Sequence, residues 1–239
     1  MDRAEFNIKV KYVIVAYVGV ALVTIASTYG IAGQKGKLAS NSFIISETFE
    51  QDPARAVATF GLAIAAFLLL GVFSARYMRS VSARSKFLFE PIRTRLSFLC
   101  CIGASLGMIG VAAVSNETSL NAHAVFGFIM FSCGIGATAF FTLEDAFVFY
   151  DKFAFVVILR VLLVLTAAVS FILMVTSFKS HDVLFTANAG SIASSCEVMI
   201  VGSLATYMIS LIYDFKDTAI VIKLYEAPLN KDDDVSMAN

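Results

Sequence analysis

The chain has 239 residues, of which 59% are hydrophobic and only 15% charged, and its formal net charge is zero. Soluble domains carry about 25% charged residues, so this composition excludes an ordinary soluble domain and predicts an integral membrane protein. A neutral chain also offers no general attraction for polyanions, and we predict no nucleic-acid partner.

Six apolar segments are long enough to cross a membrane as helices, because a hydrocarbon core of about 30 Å needs roughly 20 residues. The first follows basic residues, as a secretory signal does, but it exceeds the roughly 7–15 apolar residues of such a signal and is interpreted as a retained span. The predicted spans are Tyr12–Gly33, Arg55–Ala75, Leu96–Ser115, Ala122–Tyr150, Phe153–Ser177 and Gly190–Tyr213.

The predicted fold is therefore all-α, a single six-helix transmembrane domain over residues 1–239. Most of the 18 Lys and Arg residues fall on one side if both termini are cytoplasmic, as the positive-inside rule requires. A basic group in the second loop either determines this topology or binds anionic lipid of the inner leaflet. That group comprises Arg76, Arg79, Arg84, Lys86, Arg93 and Arg95.

The loops and the tail give weaker signals. In the first outer loop, Asn41–Ser46 is rich in strand-forming residues and predicts a strand or hairpin over the bundle. Asn116 begins a glycosylation sequon, although its position so close to the membrane argues against glycan transfer. The cytoplasmic tail, residues 214–239, is polar and expected to fray.

Small residues recur at the spacing that lets helices approach closely in lipid. Gly103 and Gly107 form such a row in the third span, and Gly202, Thr206 and Ser210 form another in the last. Both rows predict helix contacts.

The cysteines lie inside apolar runs and are interpreted as small buried residues rather than as a disulfide framework. The chain lacks a Cys-x-x-Cys motif and has only two histidines, so we predict no metal site and no cofactor. The four cysteines are Cys100, Cys101, Cys133 and Cys196.

A single acid, Glu197, interrupts the last span near its outer end, and His123 begins the fourth span on the same side. An ionisable group inside a span costs a few kcal/mol and by default faces a partner, a cavity or a substrate. If the two helices adjoin, the carboxylate could orient the imidazole as half of a general-base device, or the pair could fix helix register. The lack of a nucleophile motif favours the structural role.

A second polar group lies toward the predicted cytoplasmic side. Glu144 and Arg160 stand at matching distances from the turn at Asp151-Lys152, so we expect them to form a salt bridge, with Asp145 as the alternative partner. Such a pair would lock the bundle or, in a second interpretation, take part in transport or proton relay.

Several enzyme motifs are missing from the sequence. The chain has no Gly-rich phosphate loop, no His-Glu-x-x-His and no Gly-x-Ser-x-Gly. No catalytic residue is therefore assigned from a motif, and His123 and Glu197 are the only candidates.

Four parts of the sequence resemble motifs of the damage-regulated autophagy modulator (DRAM) family. They are Ile45–Phe49 followed by Pro53, Ser194–Val198, the Asp214-Phe215 pair and His123. Phe49 and Val198 stand where that family has glycine and tryptophan. The resemblance implies a six-span membrane role in lipid organisation, autophagy-linked trafficking or GPI-lipid processing.

Glu47, His123 and Glu197 match family positions and are the predicted residues for binding lipid or a partner. The leading hypothesis is a non-enzymatic membrane protein that binds membrane lipids or other membrane proteins and regulates lipid organisation or autophagy-linked trafficking. One alternative is a GPI- or phospholipid-modifying enzyme that uses His123 and Glu197, and another is an auxiliary subunit of a larger complex. The expected location is the lysosome, Golgi, ER or plasma membrane.

Overall fold

A computed structural model describes residues 5–35, 45–49, 52–82, 90–114, 116–148, 150–179 and 189–223. Within these ranges, 6 helices are long and apolar enough to cross a membrane, which confirms the six-helix prediction. They are α1 (Val10–Gln34), α2 (Ala54–Ser82), α3 (Glu90–Ala113), α4 (Asn116–Val148), α5 (Tyr150–Lys179) and α6 (Ala189–Ser210).

Two short strands, β1 (Glu5–Lys9) and β2 (Ala219–Lys223), pair antiparallel and join the two ends of the described chain. The all-α prediction omitted them, and the expectation that the tail frays is wrong for residues 214–223. The residues of β1 alternate between polar and apolar, as expected of a strand with two different faces, whereas β2 is apolar up to Lys223. The rest of the tail, residues 224–239, lies outside the described part of the chain.

A short 3₁₀-helix, Ile45–Phe49, lies at the opposite end of the bundle. It includes the last two residues of the predicted strand, so that prediction is wrong for Ile45 and Ser46, while residues 41–44 lie outside the described ranges. We call the end of the bundle with β1 and β2 the terminal face and the end with the 3₁₀-helix the loop face.

Helices that follow one another in sequence pack together, most extensively α3 with α4 and α5 with α6. Contacts between α1 and α6 are few. The larger buried apolar cluster contains Ile14, Val72, Phe141, Tyr207 and Phe215, and so brings α1, α2, α4 and the end of α6 together. Because lipid is as apolar as these side chains, close packing and polar contacts hold the helices together rather than apolar burial.

The second helix continues beyond its predicted end. Its buried face includes Leu69, Val72 and Phe73 and extends at the same helical spacing to Arg76 and Ser80. Arg76 is 0% exposed, so its assignment to a basic loop was wrong. Arg79 is also part of α2.

The fourth helix contains a break near its start. Ser119 has an extended backbone, with φ −163° and ψ 97°, and its hydroxyl accepts a hydrogen bond from the N–H of Ala122 at 3.4 Å. Ser119 therefore acts as the N-cap of the long continuous part of α4. The side chain of Asn116, the predicted glycosylation residue, lies outside the described part of the structure.

Glycines bring α3 and α4 into close contact, as the row Gly103 and Gly107 predicted. A Cβ atom at Gly107 would lie 2.6 Å from the backbone nitrogen of Met130, and one at Gly103 would lie 2.7 Å from Cys133 Sγ. The row in α6 behaves differently, because Gly202 and Thr206 are exposed and only Ser210 is buried. The second row therefore does not pack against another helix of this chain, except at Ser210.

We predict that Gly107→Ala destabilises the bundle, because its Cβ would meet backbone that cannot move independently of α4. Overpacking of this kind costs about 1–3 kcal/mol. Gly19→Ala is the matched control, since nothing lies within 4 Å of a Cβ at that helical glycine. Thermal unfolding of both variants in detergent, followed by circular dichroism, checks this, and equal midpoints would refute the close contact.

Candidate functional site

A cavity of about 120 Å³ lies between α1, α2, α3, α4 and α6. Its wall is mostly apolar, with Phe73, Met108, Phe131 and Leu204 among the lining residues. Leu22 of α1 also lines it and is 54% exposed, so the cavity borders the outer surface of the bundle at that point. In a membrane-spanning helix, that surface faces lipid.

The 3₁₀-helix closes the loop-face end of this cavity. Ile45, Ser46 and Phe49 all line the cavity, and Ile45 and Phe49 pack in a small apolar cluster with Ala58 and Leu62 of α2. This arrangement places a short segment of the first loop as a cap over the space between the helices.

Glu197 holds that cap in place. Its buried carboxylate lines the cavity and accepts a hydrogen bond from the backbone N–H of Ile45 at 2.6 Å and another from the N–H of Ser46. The first N–H groups of any helix lack partners within the helix, and an acidic side chain commonly supplies one. Glu197 does so from a different helix, so it ties α6 to the first loop.

The cap has a second polar attachment, to α1. The hydroxyl of Thr48 bonds to the hydroxyl of Thr28 at 3.0 Å and donates to the carbonyl of Ile45 at 2.7 Å. Glu47, the third predicted site residue of this region, has an exposed side chain. The cap is therefore held by Glu197 on one side and Thr28 on the other.

His123 occupies a different contact on the loop face. Its Nδ1 lies 2.6 Å from the carbonyl oxygen of Val114, just beyond the end of α3. A carbonyl only accepts hydrogen bonds, so Nδ1 carries a proton and the ring braces the turn between α3 and α4. In the described residues, His123 and Glu197 thus hydrogen-bond to separate backbone segments, and the acid–imidazole contact that the sequence allowed does not form.

A cluster of charged residues lies near the terminal face, and Asp145 of α4 is at its centre. One carboxylate oxygen of Asp145 accepts a hydrogen bond from Arg76 of α2. The other accepts one from Nη1 of Arg160 of α5 at 2.6 Å. Arg76, Arg160 and Asp145 are each no more than 2% exposed, so the pairing takes place away from solvent.

Asp214, just after α6, completes the cluster. Its carboxylate lies 3.0 Å from Arg160 Nη1 and 3.6 Å from Arg76 Nη1. Arg160 also donates to the hydroxyl and the carbonyl of Ser210, each at 2.8 Å. Arg79 donates to the backbone carbonyl of Asp214. The chain beyond α6 is therefore fastened to α2 and α5.

The expected salt bridge between Glu144 and Arg160 is not the one observed. Arg160 pairs instead with Asp145, the alternative partner that the sequence offered. Glu144 instead accepts a hydrogen bond from Ser80 at 2.7 Å and lies 3.8 Å from Arg76, both on α2. Adjacent residues of a helix point about 100° apart. Glu144 therefore faces α2 while Asp145 points between α2 and α5.

The family model of the Frag1/DRAM/Sfk1/Cwh43P N-terminal domain matches residues 9–218. The chain belongs to this family. The match confirms the resemblance to the DRAM family, and it covers the cap, the cavity and the charged cluster. Neither a comparison with curated proteins nor one with solved structures gives a match.

Sequence reasoning missed two members of the charged cluster of this Frag1/DRAM-family protein. Arg76 follows Val72 and Phe73 at the spacing of four and three residues that defines the buried face of α2, and that periodicity was the available signal. Asp214 follows Tyr207 and Ser210 at seven and four residues, on one helical face. Both residues lie beyond the ends of the apolar segments, so the sequence places Arg76 in the basic second loop and Asp214 at the start of the cytoplasmic tail.

We predict that Glu197→Leu loosens the cap, because two backbone N–H groups lose a charged acceptor that contributes about 1.5–3 kcal/mol per bond. Hydrogen exchange of the Ile45 and Ser46 amides should accelerate far more than exchange of the core helices. Glu197→Gln, which keeps one acceptor oxygen, should show a smaller increase. Unchanged exchange at both amides in Glu197→Leu would disprove this role of the carboxylate.

Removing Arg160 should destabilise the whole bundle, since it leaves Asp145 and Asp214 with fewer partners inside the membrane. Breaking a buried ion pair in this way costs about 3–5 kcal/mol. Arg160→Met is compared in unfolding experiments with Arg95→Met, which removes an exposed arginine of α3. Combining Arg160→Met with Asp145→Asn should recover part of the loss, and strictly additive losses would contradict the pairing.

Proposed function

We propose that this protein is a non-enzymatic membrane protein that binds lipid by admitting a hydrocarbon chain into its central cavity. The observation that carries the proposal is the apolar cavity that borders the lipid-facing surface at Leu22 and is closed at the loop face by the cap. Ligand sites are typically concave and largely apolar, with few polar groups at defined positions. Here the polar groups of Glu197 and Ser46 lie at the capped end.

The lining favours a hydrocarbon chain over a phosphate head group. Within the described part of the chain, no Lys or Arg lines the cavity, whereas phosphate recognition relies on cations or clustered N–H donors. Along α1 the lining runs from Tyr17 to Ile25, which corresponds to about 12 Å at 1.5 Å per residue. An apolar cavity of about 150 Å³ holds benzene, so this one suits a ring or a short run of methylenes.

Binding accounts for the site better than turnover does. A general acid or base must reach the proton that it transfers within hydrogen-bond distance. His123 is engaged with Val114, and Glu197 with the N–H groups of the cap. The geometry gives no specific support to a lipid-modifying reaction by this pair.

Within this proposal, the protein acts at an endomembrane or the plasma membrane. By binding lipid there, it regulates membrane lipid organisation or autophagy-linked trafficking. Its resemblance to the DRAM family supports that role. Other membrane proteins are expected partners, and Glu47, exposed on the cap, is the residue that we propose for contact with a lipid head group or partner.

Filling the cavity should abolish chain capture. Ala205 lines the cavity on α6, whereas Val198 lies on the same helix with 48% of its surface exposed and is absent from the lining. We predict that Ala205→Phe strongly reduces labelling of the cavity wall by phosphatidylcholine carrying a diazirine on its acyl chain. Val198→Phe adds the same ring outside the cavity and should leave this labelling unchanged.

The experiment uses purified protein in nanodiscs, with the labelled positions mapped by mass spectrometry. Labelling of Phe131 and Met208, which are buried, reports the cavity, and labelling of exposed α5 residues reports ordinary lipid contact. If only exposed residues are labelled in the unmodified protein, the proposal fails. Turnover of the lipid during the incubation would refute the non-enzymatic part.

A further inference from the structure

The paired strands β1 and β2 form a ribbon with two different faces. In the observed register, Ile8 lies directly opposite Ile220, and on the other face Asn7 lies opposite Val221 and Lys9 opposite Ala219. Because strand side chains alternate between the two faces, Ile8 and Ile220 form a pair on one face. One face of the ribbon therefore presents the apolar pair Ile8 and Ile220, and the other face is mixed.

Both faces of this ribbon are partly exposed in the described part of the chain. The side chains of residues 7–9 and 219–221 are all exposed, including the apolar face, where Ile8 is 44% and Ile220 37% exposed. A two-stranded ribbon is only marginally stable in water and needs another surface to cover its apolar face. An exposed apolar face of this kind indicates contact with something outside the chain.

The root of the ribbon is fixed to the bundle. The N–H of Val10 donates to the carbonyl of Thr218 at 3.1 Å, and the N–H of Thr218 donates to the carbonyl of Phe215 at 3.2 Å. Phe215 is fully buried in the larger apolar cluster, and Asp214 belongs to the charged cluster. The ribbon therefore starts at a defined level at the ends of α1 and α6.

That level coincides with the edge of the bilayer. Tyr12 near the start of α1 and Tyr213 after α6 are 61% and 64% exposed, and exposed tyrosines are enriched where membrane-spanning helices meet the head groups. Lys11 Nζ lies 5.3 Å from the centre of the Tyr12 ring. Ile8 lies four residues before Tyr12, in the strand that leads directly into α1.

Charge at this end also suits a bilayer surface. Lys216 is exposed in the turn that leads into β2, and a lysine at the bilayer surface attracts anionic head groups while its carbon stem lies along apolar surface. We propose that the ribbon rests on the membrane, with Ile8 and Ile220 in the interfacial layer and Lys216 near anionic head groups. The partner of this surface is the bilayer itself.

The chain contains no tryptophan, so a single introduced tryptophan reports its own surroundings without background. Ile220→Trp places the probe on the apolar face, and Val221→Trp places it on the opposite face of the same strand. The full chain is reconstituted into phosphatidylcholine–phosphatidylserine vesicles, with or without lipid brominated near the head group. Proteins that have inserted in both orientations are all accessible to the brominated lipid, so insertion direction does not affect this readout.

We expect Ile220→Trp to emit at shorter wavelength, to be quenched by the brominated lipid and to be shielded from aqueous acrylamide. Val221→Trp should show the opposite pattern. Adding Lys216→Glu to Ile220→Trp should reduce quenching by brominated lipid in vesicles with phosphatidylserine. Circular dichroism confirms that each variant retains the helical bundle.

Two results would overturn the proposal. Equal acrylamide quenching at both positions, without quenching by brominated lipid, would place the ribbon in water. Shielding of Ile220→Trp that disappears when protein is diluted in lipid, again without bromine quenching, would show that a second copy covers the face instead. The cavity proposal is independent of either result, because its readout is acyl-chain labelling inside the bundle.

Discussion

The contact on which the rest of the structure depends is Asp145 held between Arg76 and Arg160. A charge inside a membrane is tolerated only when it is paired or reaches water, and these three residues are all buried. Each oxygen of the carboxylate serves one arginine, so α2, α4 and α5 must keep a single register to satisfy it. Asp214 binds the same arginines and thereby extends this constraint to the chain after α6, to Phe215 and to the ribbon.

The two ends of the bundle are consequently held in different ways. At the terminal face, ion pairs join α2, α4, α5 and the chain just after α6. A few contacts between α1 and α6 bring α1 into the same bundle. At the loop face, α3 and α4 are drawn together at Gly107, while α1 and α6 are bridged by the cap through Thr28 and Glu197. The cavity lies on the inner side of that cap, where the helices are connected by a loop segment rather than by direct packing.

Physical reasoning on the sequence recovered what depends on local composition. Hydropathy located the six spans. The matching distances of Glu144 and Arg160 from the turn between α4 and α5 predicted an ion pair between these helices, with Asp145 as the alternative partner of Arg160. Hydropathy alone could not locate Arg76, because the apolar segment ends before the buried face of α2 does, and only the helical spacing of that face continues to Arg76. The pairing of β1 with β2 and the contact of Glu197 with Ile45 join segments far apart in sequence, and no local pattern determines such partners.

The hydrogen bonds between Glu197 and the cap also bear on how lipid would reach the proposed site. Opening the cap would separate the carboxylate from the N–H groups of Ile45 and Ser46, and an unpaired carboxylate in an apolar wall is strongly unfavourable. Entry beside Leu22 breaks no hydrogen bond of the cap and displaces only apolar contacts. Since the outer surface of a membrane-spanning helix faces lipid, we expect lateral entry to have the smaller barrier. In the proposed binding mode, the role of Glu197 is to keep the loop face closed.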